Sequence, residues 1–299
     1  MRLQRFLSLV LVLLVASLAA CDNADDSPVA PPGDGGTVQP VHNTPPVISA
    51  IAVDVSDRAE VNQDIDVTAT VTDAETPVAN LQFIWTANAG TFTGSGPSVK
   101  WRLPKGTAAT PINVTISLEV VEHYADVNSK GDPITSTNDV KKSAAAFPAH
   151  DSVAELSDMT IKFLVDYFGH SEVSPDACLV DFWDACSGKD AEHSDIVNNR
   201  KMLTIQSAEA HVDSVTFEDD NDADIVAPCT FKDTLISTGK SGVSRGYCKL
   251  TGVFESERWW LCSSTFDPNP DGGRFCDDGS DDCKAPEGIG SKYSFMLPR

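Results

Sequence analysis

Basic residues are scarce in this chain of 299 residues: 22 Lys and Arg stand against 44 Asp and Glu, a formal net charge of −22. A field of that sign repels phosphate backbones and anionic leaflets, which excludes nucleic acid as a partner and membrane docking by charge alone. The apolar run over residues 6–20, broken only by Ser8 and Ser17, falls short of the roughly 20 residues that a transmembrane helix needs. Catalytic signatures are missing as well: there is no nucleophile elbow, HExxH, P-loop or dinucleotide fingerprint. No residue is therefore assigned as catalytic, and a non-enzymatic role is favoured. Cysteine is absent between Cys21 and Cys178, so the first half must hold together without a disulfide. An apolar content of 41% still supports packed cores, and the length suits about two domains.

What is present begins with an address. Residues 1–5 are short and basic, and the apolar run follows, which is the layout of a secretory signal. Its end, Leu18-Ala19-Ala20-Cys21, resembles the lipobox of bacterial lipoproteins. The resemblance implies a signal peptide over 1–20, cleavage before Cys21, and lipidation of Cys21 by diacylglyceryl and palmitate-type chains. Several chains together give near-permanent membrane attachment. An ordinary signal peptide with a chance cysteine is the other reading. Without Arg2 and Arg5 the mature charge becomes −24. The protein is expected in the cell envelope, periplasmic or surface-facing, and Asp22 leaves the choice of membrane open. Residues 21–46 carry six Pro, three Gly and four Asp with no Lys or Arg, a composition that reads as a disordered tether.

Residues 47–148 change to short alternating runs separated by turn residues. Ile65, Val67, Ala69 and Val71 share one face, and further runs cover 81–85, 98–101 and 113–120. Period-2 runs spaced by turns predict an antiparallel sandwich. The Pro45-Pro46 entry, the Val67-Thr-Ala69-Thr-Val71-Thr-Asp73 strand and Trp85 before the Gly90 turn resemble immunoglobulin-like modules of the polycystic-kidney-disease (PKD) type. The resemblance implies a spacer, or a module that binds an envelope protein or a glycan. Trp85 and Trp101 read as core residues or as sugar platforms. Residues 124–138 read as a long polar loop.

The remainder, 152–266, reads as helices followed by long strands, an α+β layout. Ser152-Val-Ala-Glu155 has the form of a capping box, and the apolar positions from Leu156 to Phe168 carry helical spacing up to Gly169. Residues 178–186 suggest a second helix, and 190–200 a polar helix or loop. Strands are expected over 210–217, 224–232, 245–254 and 258–266. The element order and Arg258-Trp259-Trp260-Leu261 resemble the nuclear transport factor 2-like and polyketide-cyclase-like superfamily, although its early hairpin is not evident. That resemblance implies a curved sheet under helices, with Phe231, Leu250, Phe254 and Trp260 lining a concave pocket; a plain core is the other reading. The fold class is thus mainly β, an immunoglobulin-like sandwich followed by a disulfide-containing α+β domain.

Facing residues of an antiparallel pair have numbers of constant sum. A turn centred near Glu255 sets Cys248 opposite Cys262 and Leu250 opposite Trp260, and a turn near Gly239 brings Cys229 toward Cys248. Seven thiols remain if Cys21 is acylated, so three bridges and one free thiol are expected, Cys276–Cys283 being the easiest local one. A zinc site on the cysteine row is the alternative, without the support of a CxxC pair. The acidic tail, 267–299, places Asp267, Asn269, Asp271 and Asp278 at the spacing that starts a calcium loop, similar to thrombospondin-type repeats. Either Ca2+ binds there or the loop is solvated and closed by a disulfide. Two functional readings follow: a lipid-anchored envelope protein with a binding, adhesion or assembly role, or a small-molecule binder or cyclase/isomerase-like enzyme using the concave pocket.

Overall fold

The computed structural model describes residues 42–169, 172–268 and 274–276. The chain is mainly β. Its first part comprises β1 (Val47–Val53), β2 (Ala59–Glu60), β3 (Ile65–Thr72), β4 (Gln82–Ala87), β5 (Thr91–Ser95), β6 (Ser98–Arg102), β7 (Ile112–Val114), β8 (Ile116–Val127), β9 (Pro133–Ser143) and β10 (Phe147–His150). They form sheets of order β1-β3-β6-β5, β4-β8-β9 and β2-β10-β7. Alternation buries Ile65, Val67 and Val71 of β3 on one face, while Thr68, Thr70 and Thr72 look outward. Those apolar faces share interiors with Leu118 and Val120 of β8 and with Val99 and Trp101 of β6.

Trp101 is fully buried, its indole N–H donating to the Ala89 carbonyl at 2.9 Å and its ring set edge-on to Phe147 at 5.3 Å. Gly90 makes room for it. Its φ is +85°, and a Cβ there would lie 2.4 Å from Trp101 Nε1, so only glycine fits. Trp85 is half-buried, its indole N–H held by the Gly96 carbonyl at 3.0 Å. Residues 124–138 are not a loop. β8 continues to Val127 and pairs with β9 through a tight turn in which Asn128 Oδ1 accepts the amides of Lys130 and Asp132. The side chains are polar because both flanking strands expose them, which the loop reading mistook for absence of structure.

The second part comprises α1 (Ser152–Gly169), α2 (Pro175–Cys178), α3 (Gly188–Met202), β11 (Leu203–Ala210), β12 (Ser214–Phe217), β13 (Asp222–Leu235), β14 (Ser241–Glu255), β15 (Arg258–Pro268) and β16 (Arg274–Cys276). The sheet runs β11-β13-β14-β15, with β12 on β13 and β16 on β14. The long β13 takes two short partners on one edge, β11 along its second half and β12 along its first. The strand expected over 210–217 is therefore two strands broken at 211–213. Leu156, Phe163, Leu164, Tyr167 and Phe168 of α1 bury against this sheet, and each such side chain contributes about 1.5–3 kcal/mol. Gly252 permits the approach, since a Cβ there would meet Leu156 at 2.6 Å.

Two local expectations change. The helix cap is Asp151, one residue early: its Oδ1 accepts the Ala154 amide at 3.2 Å, and Glu155 reaches back to the Asp151 amide at 3.2 Å. Ser152 is thereby released for another task. The 178–186 run is not a helix. Asp181–Trp183 instead lies along β15, Trp183 N donating to the Leu261 carbonyl and Leu261 N to the Asp181 carbonyl.

The hairpin register also differs from the arithmetic. The β14–β15 turn is Ser256-Glu257, both at positive φ, so Glu255 faces Arg258. A bulge then leaves Cys262 without a partner opposite, because Leu261 faces Gly252 and Ser263 faces Thr251. Cys248 accordingly faces Phe266, and Leu250 faces Ser264. Cys248 and Cys262 are both in disulfides, but with other partners: Cys186–Cys262 and Cys229–Cys248. These bonds also consume the thiols of the suggested zinc row. Among the described residues the free cysteine is Cys178, whose thiol burial pushes up despite the Arg200 guanidinium at 3.5 Å.

Candidate functional site

β10 leads directly into α1, and where it does so the two parts of the chain enclose a cleft of about 480 Å³. That volume falls in the range of roughly 300–1,000 Å³ typical of ligand sites. One wall is Val61, Asn62 and Lys105 from the first part; the other is Val153 at the start of α1 and Phe217, Asp219 and Asp220 at the β12–β13 turn. Val153 and Phe217 are 42% and 39% exposed, an apolar pair facing open space.

Arg58 and Glu60 build the back of the cleft. Glu60 Oε1 accepts from Arg58 Nε at 2.8 Å and from Ser152 Oγ at 2.5 Å, and Oε2 accepts the Ser152 amide at 3.2 Å. Ser152 Oγ in turn accepts the Trp259 indole N–H at 2.6 Å. The Arg58 guanidinium stacks over Phe254 at 3.9 Å and Trp259 at 5.0 Å, and donates to the Asp220 carbonyl and to Asn221 Oδ1. Arg58 thus clamps the acidic turn from across the junction. Asp219 Oδ1 fixes the same turn by accepting the amides of Asn221 and Asp222. Where β10 meets α1, the buried His150 pairs with the half-buried Glu155. His150 Nδ1 is 2.9 Å from Glu155 Oε2 and its ring stands edge-on to Phe254. His150 Nε2 has no hydrogen-bond partner among the described residues.

The residues singled out for a concave pocket are placed differently. Phe231, Leu250 and Phe254 are buried in the core under α1, with Phe231 stacked on Phe168 at 3.9 Å. Trp260 lies on the opposite face of β15, under Arg258 at 3.7 Å and beside Trp183 at 5.1 Å. Trp259 takes the inward position, because the turn centre is displaced from Glu255 and a one-residue slip reverses faces. Deeper in this part Tyr167 Oη accepts from Asn199 Nδ2 at 2.6 Å, and Glu192 Oε1 accepts the Ser264 amide at 3.2 Å. Burial pushes the Tyr167 phenol well above its ordinary value; the Asn199 hydrogen bond offsets part of the rise and the Glu192 charge adds to it.

Of the calcium residues, Asp267 pairs with Lys249, while Asn269, Asp271 and Asp278 lie outside the described residues. Among the described residues no three His, Cys, Asp or Glu converge as a metal site, the Asp219–Asp224 turn included. Cys21 and Cys283 also lie outside them, and of Cys276 only the backbone is described. Sequence reasoning missed the cleft because its walls come from four separate segments. The nearest signal was Ser152, a polar residue at a helix start whose side chain the helix did not need.

No protein-family model and no curated protein matches the chain. Solved structures similar to it include a protein from Novosphingobium aromaticivorans named as an aromatic ring hydroxylase (13% identity, 38% of this chain and 87% of that one, TM-score 0.31). A hexachlorocyclohexane dehydrochlorinase of type 2 (LinA) shares 13% identity over 46% of this chain and 94% of its own, TM-score 0.33. An Ntf2-like protein involved in plasmid conjugation shares 11% identity over 63% and 78%, TM-score 0.23. Scores of this size are too low to carry fold or chemistry across.

Proposed function

We propose that this chain is a lipid-anchored protein of the bacterial cell envelope with a non-enzymatic binding role, and that it takes its ligand in the cleft between the two parts. The cleft is the observation that supports the binding role: it is open, of ligand size, walled by Val153 and Phe217, and floored by a hydrogen-bonded Arg58–Glu60–Ser152 chain. In this reading Cys21 carries the anchor, residues 22–46 the spacer, and an immunoglobulin-like sandwich over 47–148 holds the second part off the membrane. The cleft is tested with 2-phenylethanol, a neutral aromatic probe. Its titration is expected to shift amide signals around Val153 and Phe217, and Val153→Trp, which fills the space, to abolish the shifts. No change at those amides overturns the reading. The anchor is tested by Cys21→Ser, which is expected to move the protein from the membrane fraction to the soluble one.

A second reading, a small-molecule binder or cyclase/isomerase-like enzyme of the nuclear transport factor 2-like kind, would draw on the Tyr167–Asn199 and Glu192–Ser264 contacts inside the second part. It requires an opening that exposes Tyr167, which is fully buried in this structure. Iodination of the Tyr167 ring in the native protein supports it, and complete protection of that ring removes it.

A further inference from the structure

We infer that the cleft selects an organic cation, a ligand with an amine or guanidinium head on an apolar body; this rests on the cleft being the binding site. Two cations and four carboxylates line it. Both cations are already matched: Arg58 Nε lies 2.8 Å from Glu60, and Lys105 Nζ lies 3.4 Å from Asp151 Oδ2. Asp219 and Asp220 remain. Both are exposed, and neither has an ion-pair partner among the described residues. Arg58 forms no ion pair with either carboxylate: it reaches this turn through the Asp220 carbonyl and Asn221 Oδ1. The same contacts hold the backbone of a turn whose two carboxylates, Asp219 with two backbone amides on its Oδ1 and neither with an ion-pair partner among the described residues, line a partly apolar space.

Position adds to charge. Val153 and Phe217 supply the apolar wall, and Phe217 leads into the acidic turn through Glu218. A ligand whose apolar body lies on Phe217 therefore carries its head beside Asp219 and Asp220. An anionic head meets those carboxylates together with the field of a chain of formal charge −22. The partial positive charge of the α1 N-terminus does not reverse this preference, since Asp151 and Glu60 already accept its first amides.

The experiment compares three probes with one aromatic body, 2-phenylethylamine, 2-phenylethanol and 3-phenylpropionate, titrated against the full chain at pH 7 and low salt. The amine is expected to bind about tenfold tighter than the carboxylate, since two exposed charges attract one and repel the other. The alcohol should fall between them, and added salt should narrow the spread. Asp219→Asn combined with Asp220→Asn should cut the preference several-fold, leaving only the share from the field of the whole chain, and keep alcohol binding. The fold tolerates this pair, because the amide side chain introduced at position 219 still offers an Oδ1 acceptor to the Asn221 and Asp222 amides. Equal binding of the three probes, tighter binding of the carboxylate, or a preference undiminished in the double variant overturns the cation inference and leaves the cleft reading standing. Binding of none of the three overturns the cleft reading itself, and the inference falls with it.

Discussion

Replacing Glu60 by Ala tests whether the two parts are joined by a specific polar chain or only by the peptide link. The carboxylate takes three hydrogen bonds: Arg58 Nε, Ser152 Oγ and Ser152 N. The Arg58 pair counts for little, since the Glu60 side chain is 35% exposed and solvent screens it, leaving under about 1 kcal/mol. Ser152 is different. It is 2% exposed, so its hydroxyl and amide would both be left buried without an acceptor, at about 1 kcal/mol or more each. The expected cost of Glu60→Ala is therefore about 3 kcal/mol, and of Glu60→Gln, which keeps one acceptor oxygen, about 1 kcal/mol. Ser152→Ala should cost about 2 kcal/mol, because it orphans the buried indole N–H of Trp259. The two sites share one hydrogen-bonded unit, so the double variant should cost less than the singles together, with a coupling of at least about 1 kcal/mol. The assay is urea unfolding followed by tryptophan fluorescence, to which the buried Trp259 contributes. Coupling below about 0.5 kcal/mol, the ordinary error of additivity, would refute the reasoning.

Other perturbations follow from the same structure. The Cys186–Cys262 bond closes a separation of 76 residues and Cys229–Cys248 one of 19. Loop entropy predicts losses of about 4.5 and about 3 kcal/mol when each pair is replaced by serine, and urea midpoints in the opposite order would contradict it. Gly90→Ala forces a Cβ into the Trp101 indole at positive φ and should cost at least about 2 kcal/mol, visible as a lower melting temperature; an unchanged melt would remove that account of the packing. Glu122 is fully buried. Burial alone would raise its carboxyl, but hydrogen bonds from Thr76, Asn43 and Asn138 outweigh it and hold the pKa below the ordinary glutamate value. A depressed carboxyl stabilises above its unfolded pKa and loses that contribution as pH falls through the folded one. Stability should therefore decline on the acid side of about pH 4.5, and Glu122→Gln should flatten that decline in urea unfolding measured from about pH 6 to about pH 3.

Local pattern was readable where burial repeats at the period of one element. The alternation in β3 and the apolar stripe of α1 place the same residues inward in the structure, because a strand or helix with one buried face must write that face into its own segment. The same logic misread 124–138. Two strands paired with each other but polar on both exposed faces leave no apolar period to see. It also misread 178–186, whose backbone takes hydrogen bonds from β15 rather than from a helix of its own. The cap moved by one residue because Asp151 and Ser152 are both good caps, and only the presence of Glu60 decides which one is diverted.

By itself, then, the sequence determined the charge excess, the mainly β class and the position of α1. It did so because each depends on composition or on neighbours within one element. Tertiary structure decided the rest. Ser256 and Glu257, neither of them a residue favoured at positive φ, set a turn that moves Trp259 inward and Trp260 outward. The bulge at Cys262 chooses its disulfide partner. The cleft exists only where β10 passes into α1 and brings Arg58 against an acidic turn, a contact across 162 residues of sequence that no local pattern encodes. Its physical reason is long-range: the half-buried Glu60 carboxylate and the Arg58 guanidinium each needed a partner, and each found one on the other part of the chain, at Ser152 and at the Asp220–Asn221 turn.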